Sequence, residues 1–379
     1  MKKFRVLTTA LAAAAFLAGC GGSNPGDQSP RIAFTRMVNF GDSLSDVGTY
    51  KTPGIAGVGG GLYSINGNLT SLGLPYTNWT QYLASTLVLA QPCPAEVGLT
   101  SVGPGNSALL LPPYNSSSGA LGQLTVPVVT QIANFKANSS FSSTDIVTVL
   151  AGGNDLFIDR ATVDGTVAGV LAAEGAGQIT VDQGNAMIVQ AEDAAVAAMT
   201  QAGTELADLI KNEIVAGGAT HVVVVNLPDV SLTPDAKLWP GTITGAVADP
   251  LHPNLTLDMT TAFNAALQSE LFGSAAVDSI PAVVWVDAFS QNDAQLTQPA
   301  TYGLTNMTTP ACDLTKTPFA SSLVCSKDTL IAPPADTVTT DDPTGVMHYL
   351  YADTVHPTPF GYRLLAEYVS LQMSIRGWL

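Results

Sequence analysis

Residues 36–46 read "RMVNFGDSLSD", in which a strand-like apolar run over 36–40 leads into a polar turn that carries Ser43. Three further apolar runs follow it: "DIVTVL" at 145–150, "HVVVVNL" at 221–227 and "AVVWVDAF" at 282–289. Continuous runs of valine and isoleucine are typical of strands that are buried on both faces. The four runs therefore predict a parallel sheet, and the turn that carries Ser43 directly follows its first strand.

Helical stretches separate these runs. Residues 185–216 are rich in alanine with apolar residues at helical spacing, residues 256–272 repeat the pattern, and residues 358–375 close the chain. Strands that alternate with helices predict an α/β protein, a three-layer α/β/α sandwich around a central parallel sheet. In such a fold, reactive groups gather at the carboxyl ends of the strands.

Two stretches do not follow this alternation. Residues 91–123 and 290–346 are rich in Pro, Gly, Ser, Thr and Asp. Long segments of this composition are usually functional loops or disordered. We interpret both as long loop insertions over the mouth of a site.

The first residues have the layout of a secretory signal, because a cationic start precedes an apolar run over 6–18 that is too short to span a membrane comfortably. The ending "LAGC" resembles the lipobox of bacterial lipoproteins, which implies lipidation at Cys20; an ordinary secretory signal with a stray cysteine is the alternative. We predict a signal peptide over 1–19, a lipidated tether over 20–31 and one folded domain over 32–379. The expected location is the bacterial cell envelope, with the outer membrane favoured.

The excess of acidic over basic residues limits the kinds of partner that the protein can bind. Three of the fourteen basic residues and none of the thirty acidic ones lie in the signal, so the chain without it has 11 basic residues and a net charge of −19 with histidine neutral. Such a surface repels polyanions, which argues against nucleic acid as a partner. Contact with a membrane would depend on the acyl chains at Cys20. We expect a monomer.

Three cysteines follow Cys20. In an exported protein a nearby pair usually forms a disulfide, which favours a bridge between Cys312 and Cys325 and leaves Cys93 free. The cysteines and four histidines lack the spacings that zinc sites favour, so no metal is expected.

Ser43 has two interpretations. It could be a helix cap, although Ser45 and Asp46 are better placed for that role, or it could be a nucleophile. A nucleophilic serine needs an adjacent base that a third group holds in place. His356 fits best, because Asp353 precedes it by three residues on a turn before the last helix and can reach the imidazole Nδ1–H.

The other histidines have simpler interpretations. His221 opens a valine-rich strand, His252 lies in a loop without a partner pattern, and His348 is expected to be a packed side chain near the site.

A developing oxyanion also needs donors. Asn154 follows a buried strand and two glycines in "VTVLAGGNDLF", which suits an amide that points into the site, although a turn or a helix cap would explain the same residue. Asp155 is assigned mainly to that structural role. In "SVGPGNSALL", Gly105 could offer a backbone N–H, and Gly103 is a close rival.

The segments "FGDSLSD", a glycine loop, "GGND" and "DTVH" occur in an order that resembles the GDSL, or SGNH, family of serine esterases and lipases. Further segments such as "NWTQYLA" and "HPTPFGYRLLA" are similar to its secreted bacterial branch. The resemblance implies a flavodoxin-like fold without metal or cofactor. It also implies Ser43 as nucleophile, His356 as general base and then acid, and Asp353 as its partner. The oxyanion hole would comprise the backbone N–H groups of Ser43 and Gly105 and the side chain of Asn154.

The function expected from this resemblance is hydrolysis of a small-molecule or lipid carboxylic ester through an acyl-enzyme. One alternative is an acyltransferase or deacetylase acting on envelope glycans, since the same nucleophile could pass its acyl group to sugar or water. Another is a surface lipoprotein that binds lipid or glycan without catalysis.

Overall fold

A computed structural model describes residues 32–93, 126–238, 254–277, 279–317, 320–332, 338–340 and 342–379. The predicted signal peptide, Cys20 and the tether lie outside these residues, as do Gly103, Gly105 and His252. Among the described helices, none is both long and apolar enough to cross a membrane.

The centre of the fold is a sheet of four parallel strands in the order β1-β2-β3-β4. The strands are β1 (Arg36–Gly41), β2 (Asp145–Leu150), β3 (Val222–Val225) and β4 (Val283–Val286). In register, Val38 lies opposite Val147, and Val222 lies between Val147 and Val283. The carboxyl ends of all four strands therefore meet at one edge of the sheet.

Nine α-helices surround the sheet in the part of the chain that the structure describes. In chain order they are α1 (Pro53–Gly57), α2 (Trp79–Thr86), α3 (Val128–Asn138), α4 (Gly153–Gly175), α5 (Val181–Leu209), α6 (Pro234–Leu238), α7 (Leu255–Phe272), α8 (Ala288–Thr297) and α9 (Pro359–Arg376). A π-helical turn, Ile210–Val215, continues α5.

The strands send alternate side chains to two apolar cores. Val147 and Val149 pack with residues of α3, α4, α5 and α7 on one face of the sheet. Ile146 and Leu150 pack with α2 and α9 on the other. Because side chains of a strand alternate between faces, strands covered by helices on both sides must be apolar throughout. This arrangement confirms the α/β sandwich that the sequence predicts.

The sequence prediction and the structure differ in the number of helices and in the second predicted insertion. Helices α1, α2, α3, α4 and α6 have no counterpart among the three helical stretches that the sequence predicts. The start of the 290–346 segment is also helical rather than a loop, because α8 extends to Thr297. Most of the remaining described residues there form turns, short 3-10 helices and isolated bridges.

The predicted disulfide is confirmed: Cys312 and Cys325 are bonded, with their Cα atoms 6.0 Å apart. Cys93 is exposed and free. The bridge closes a loop that packs beside the segment just before α9.

Candidate active site

Ser43 lies just beyond the carboxyl end of β1, where it begins a one-turn 3-10 helix, Ser43–Ser45. The cap of this turn is Asp42, whose carboxylate accepts a hydrogen bond from the Leu44 N–H at 2.9 Å. Asp46 is the C-cap of the turn and accepts from the Thr49 N–H at 2.9 Å, but the expectation that Ser45 or Asp46 is the N-cap is wrong. The chain turns at once after the strand, so the residue before Ser43 takes that position, while Ser45 is buried and its hydroxyl accepts from the Trp79 indole at 3.2 Å.

The turn after β1 also needs a glycine. A Cβ atom on Gly41 would lie 2.6 Å from the carbonyl oxygen of Leu150 on the neighbouring strand. Only a residue without a side chain lets the backbones of β1 and β2 come this close. The glycine therefore fixes where the chain leaves the sheet and where the Ser43 hydroxyl lies.

The His356 imidazole lies beside Ser43, although 313 residues separate them in sequence, with 2.8 Å between Nε2 and the serine Oγ. Thr358 fixes the loop that holds this histidine. Its hydroxyl donates to the Tyr349 carbonyl at 2.6 Å and accepts from the Gly361 N–H at 3.1 Å at the start of α9. The cap of the last helix thus positions the imidazole.

Asp353 lies on the far side of the imidazole and is buried. Its Oδ2 and Oδ1 atoms are 2.9 and 3.0 Å from His356 Nδ1. The carboxylate also accepts backbone N–H bonds from Val355, His356 and Ser322, at 2.9, 2.7 and 2.7 Å. Burial opposes ionisation, but the attraction of His356 and these hydrogen bonds outweigh it and lower the pKa of Asp353.

The donor Ser322 belongs to the loop that the disulfide closes. On the other side of that loop, the Cys312 N–H donates to the Ala352 carbonyl at 2.9 Å, directly before Asp353. Asn66 ties the loop to the β1 side of the site, since its buried amide donates to the Ser322 and Cys325 carbonyls at 3.1 and 2.9 Å. The loop that the disulfide closes therefore contacts Asp353 at its carboxylate, through Ser322, and contacts the backbone just before it, through Cys312.

Two tyrosines that the sequence did not single out complete the surroundings of the imidazole. The Tyr63 ring is stacked on His356, with ring centroids 4.5 Å apart and 27° between the planes. Tyr50 contacts Tyr63 edge to face at 5.5 Å. Both line the same cavity as Ser43. No motif or periodicity marks either residue, because they lie in irregular segments.

Asn154 lies in the first turn of α4, after the left-handed Gly152 with a φ of 118°. A Cβ atom on Gly152 would collide with the Phe263 ring, so this position requires glycine for space and for conformation. The tight turn brings the start of α4 to the carboxyl edge of the sheet. Asn154 lines the cavity with Ser43 and His356, whereas Asp155 is buried in the same turn.

The cavity has a volume of about 550 Å³ and follows the carboxyl edge of the sheet. Ser43 and His356 lie in its wall. Its apolar lining includes Leu150, Val225 and Leu227, from the ends of β2 and β3. The ion pair between Arg160 and Asp235 also lines it. This space can accept an extended, largely apolar molecule beside the serine.

The remaining described histidines lie apart from this arrangement. His348 stacks on Phe360 with centroids 4.2 Å apart, and its Nδ1 contacts the Gly303 carbonyl at 2.8 Å. His221 packs edge to face against Phe34 and Trp378. Within the described residues, no group of three or more His, Cys, Asp or Glu side chains is placed to hold a metal ion.

A serine hydroxyl beside an imidazole that contacts a buried carboxylate is an arrangement of side chains that recurs in serine hydrolases of unrelated folds. The family model of GDSL-like lipases and acylhydrolases matches residues 37–369. The chain belongs to this family, and its activity is that of an acylhydrolase that acts on esters. No curated protein matches the chain.

The buried carboxyl group of Asp42 should make the stability of the folded protein depend on pH. Burial raises the pKa of Asp42 to about 6, although the Leu44 N–H and His356 oppose the shift. The folded state therefore holds this proton at pH values where the unfolded chain has released it. The contribution of Asp42 to the free energy of unfolding is fully present below its unfolded pKa of 3.8. This contribution is lost as the pH rises through about 6.

We expect Asp42→Asn to be more stable than the wild type at pH 8 by up to about 3 kcal/mol, since one pKa unit corresponds to about 1.4 kcal/mol. The amide oxygen keeps the bond from Leu44. At pH 4 the difference should be small. Urea unfolding at both pH values measures it, and a stability difference that does not change with pH would contradict the prediction.

Proposed function

We propose that the protein hydrolyses carboxylic esters through an acyl-enzyme, with Ser43 as nucleophile, His356 as general base and then acid, and Asp353 as the group that orients the imidazole. The observation that supports this most is the continuous contact from the Ser43 hydroxyl through His356 to Asp353 at 2.8 and 2.9 Å. A serine hydroxyl is a weak nucleophile alone, and an imidazole within hydrogen-bond distance can take its proton.

In the first half of the reaction, Ser43 Oγ attacks the ester carbonyl while its proton moves to His356 Nε2. The Nδ1–H of the imidazolium donates to Asp353, whose negative charge stabilises the cation. When the tetrahedral intermediate collapses, the bond to the alcohol oxygen breaks and Nε2 returns the proton to the departing alcohol. An acyl group remains on Ser43.

In the second half, water attacks the acyl-enzyme while His356 takes its proton. Collapse of the second tetrahedral intermediate breaks the bond between the acyl carbon and Oγ, and the proton returns to Ser43. The products are a carboxylic acid and an alcohol. Asp353 stays ionised throughout, in keeping with its lowered pKa.

The negative oxygen of both intermediates needs donors. We assign the Ser43 N–H and the Asn154 side chain to this role, with Gly105 or its neighbour Gly103 as a further N–H donor. Asn154 is supported by its place in the wall of the cavity, in the first turn of α4. The two glycines rest on the sequence pattern alone.

We expect Asn154→Ala to lower kcat for a short p-nitrophenyl ester by about 10² to 10³ with a smaller change in KM, the usual loss for one oxyanion donor. Asn138→Ala is a matched control, since that exposed residue ends α3 away from the cavity. A loss of less than threefold for Asn154→Ala would show that this residue only shapes the turn.

We further propose that residues 1–19 are a signal peptide, that Cys20 is acylated, and that residues 20–31 tether a single hydrolase domain to the bacterial envelope. The sequence "LAGC" after a cationic and apolar start supports this. Cells fed a clickable palmitate analogue should label the wild type, and Cys20→Ser should lose both the label and the membrane fraction. Equal labelling of both would contradict the assignment.

A further inference from the structure

One face of the His356 imidazole is covered by the ring of Tyr63. The ring centroids are 4.5 Å apart and the planes differ by 27°. Ser43 and Asp353 contact the imidazole at its two nitrogen atoms, with distances of 2.8 and 2.9 Å. Those hydrogen bonds lie at the edge of the ring. Tyr63 therefore contacts a part of the histidine that neither hydrogen-bond partner reaches.

The backbone around Tyr63 is bonded to the segment that carries the histidine. The Ser64 hydroxyl donates to the carbonyl of Pro357, the residue directly after His356, at 3.0 Å. The hydroxyl of Tyr362, which is buried in the first turn of α9, donates to the Tyr63 carbonyl at 3.2 Å. These two bonds fix the position of the tyrosine relative to the imidazole.

A small apolar cluster supports the Tyr63 ring. Tyr50 contacts this ring edge to face at 5.5 Å, and it packs in turn with Leu323. Leu323 directly follows Ser322, whose N–H donates to Asp353 at 2.7 Å. The loop that the disulfide closes therefore supports both the carboxylate and the ring that contact the imidazole.

The Tyr63 phenol is neutral, so its ring face is what it offers to the histidine. Burial, the Tyr50 phenol and the Asp46 carboxyl raise the pKa of Tyr63. A cation within about 6 Å of the centroid of a tyrosine ring, over its face, is attracted by the negative charge of that face. The imidazolium that forms when His356 takes the Ser43 proton is such a cation.

We propose that Tyr63 is a positioning residue of the hydrolytic site, whose ring face keeps the His356 imidazole in one plane and stabilises the imidazolium over the neutral ring. This inference rests on the proposed function. During the reaction the Nε2–H must turn from Ser43 Oγ to the oxygen of the departing alcohol. The stacked ring permits that movement within the plane and opposes a tilt out of it.

The first test separates the ring from its hydroxyl. Tyr63→Leu removes the aromatic face, and Tyr63→Phe keeps it. Tyr76→Leu is the control, since that ring contacts Tyr82 edge to face outside the cavity lining. For p-nitrophenyl butyrate we expect kcat to fall about fivefold to thirtyfold in Tyr63→Leu and to stay within threefold in the other two. A smaller fall in Tyr63→Leu, or an equal fall in Tyr63→Phe, overturns the proposal.

The second readout is the pH profile of kcat/KM, which a purely structural role would not move. Two carboxyls, Asp353 and Asp42, act electrostatically on His356, and both are the same in every variant. Without the ring face the imidazole should bind a proton less readily. The acid limb of Tyr63→Leu should therefore lie roughly half a pH unit below that of Tyr63→Phe. An unmoved limb overturns the proposal, because lost packing alone would then explain a lower kcat.

A variant of unchanged shape replaces Tyr63→Leu if thermal unfolding shows that the leucine protein does not fold. Pentafluorophenylalanine at position 63 keeps the shape of a phenylalanine ring and reverses the charge distribution on its face. Relative to Tyr63→Phe, we expect the same fall in kcat and the same shift of the acid limb. Equal kcat and an unmoved limb overturn the proposal.

A measurement without turnover separates failure of this inference from failure of the proposed function. In the Ser43→Ala protein, NMR follows protonation of the His356 ring as the pH is lowered. The midpoint should lie roughly half a pH unit lower with leucine than with phenylalanine at position 63. Equal midpoints overturn the role of Tyr63. If the wild type hydrolyses no ester, the proposed function is wrong, while this titration still decides whether the ring stabilises the imidazolium.

Discussion

Replacing Ser43 with alanine is expected to reduce ester hydrolysis by at least about 10⁴-fold, since loss of a serine nucleophile from such a site costs up to about 10⁶ in kcat. The variant retains the cavity and His356 but has no oxygen that can form the acyl-enzyme. The only hydrogen bond of the Ser43 side chain in the described residues is to His356, so the fold should remain intact.

Hydrolysis of p-nitrophenyl butyrate by purified protein measures this effect, with thermal unfolding as the check of the fold. Ser269→Ala is a matched control, because Ser269 is exposed on α7 and its hydroxyl donates to the Ala266 carbonyl of its own helix. Turnover by Ser43→Ala within tenfold of the wild type would exclude the acyl-enzyme at this residue.

Asp353→Asn is expected to lower kcat by about 10⁴, the usual consequence of an imidazole held in the wrong tautomer. The carboxylate accepts from three backbone N–H groups as well as from His356. An asparagine has one acceptor oxygen for these donors, and its NH₂ group would face either a backbone N–H or His356 Nδ1. Facing Nδ1, it would favour the proton on Nε2, where the imidazole cannot accept the Ser43 proton.

The loss should appear in kcat rather than in KM, because Asp353 does not line the substrate cavity. Asp328→Asn is the control, since its side chain is 80% exposed beside Lys327. A loss of less than tenfold for Asp353→Asn, in protein that unfolds at the wild-type temperature, would show that another group orients His356.

The sequence predicts those residues of the site whose position follows from their neighbours in the chain. Ser43 follows a strand, and Asp353 and His356 share one turn, so strand ends and short spacings are enough to identify them as candidates. The four strands were found for the same reason, because burial on both faces requires continuous apolar runs.

The remaining parts depend on contacts between distant, irregular segments. Ser322 reaches Asp353 through a backbone N–H, which leaves no mark on its side-chain identity. Tyr63 stacks on an imidazole 293 residues later in a segment without periodicity. Asn292 lies in a stretch whose composition indicated a loop, and only the structure shows that it belongs to α8 and lines the cavity.

The central claim is that Ser43 is the nucleophile that His356 activates. The most direct measurement is peptide mass spectrometry of the protein after reaction with a fluorophosphonate ester. We expect one adduct, on the peptide that contains Ser43, which forms in the wild type and is absent from His356→Ala at the same exposure. An adduct on another residue, or equal labelling of Ser43 without the imidazole, would contradict it.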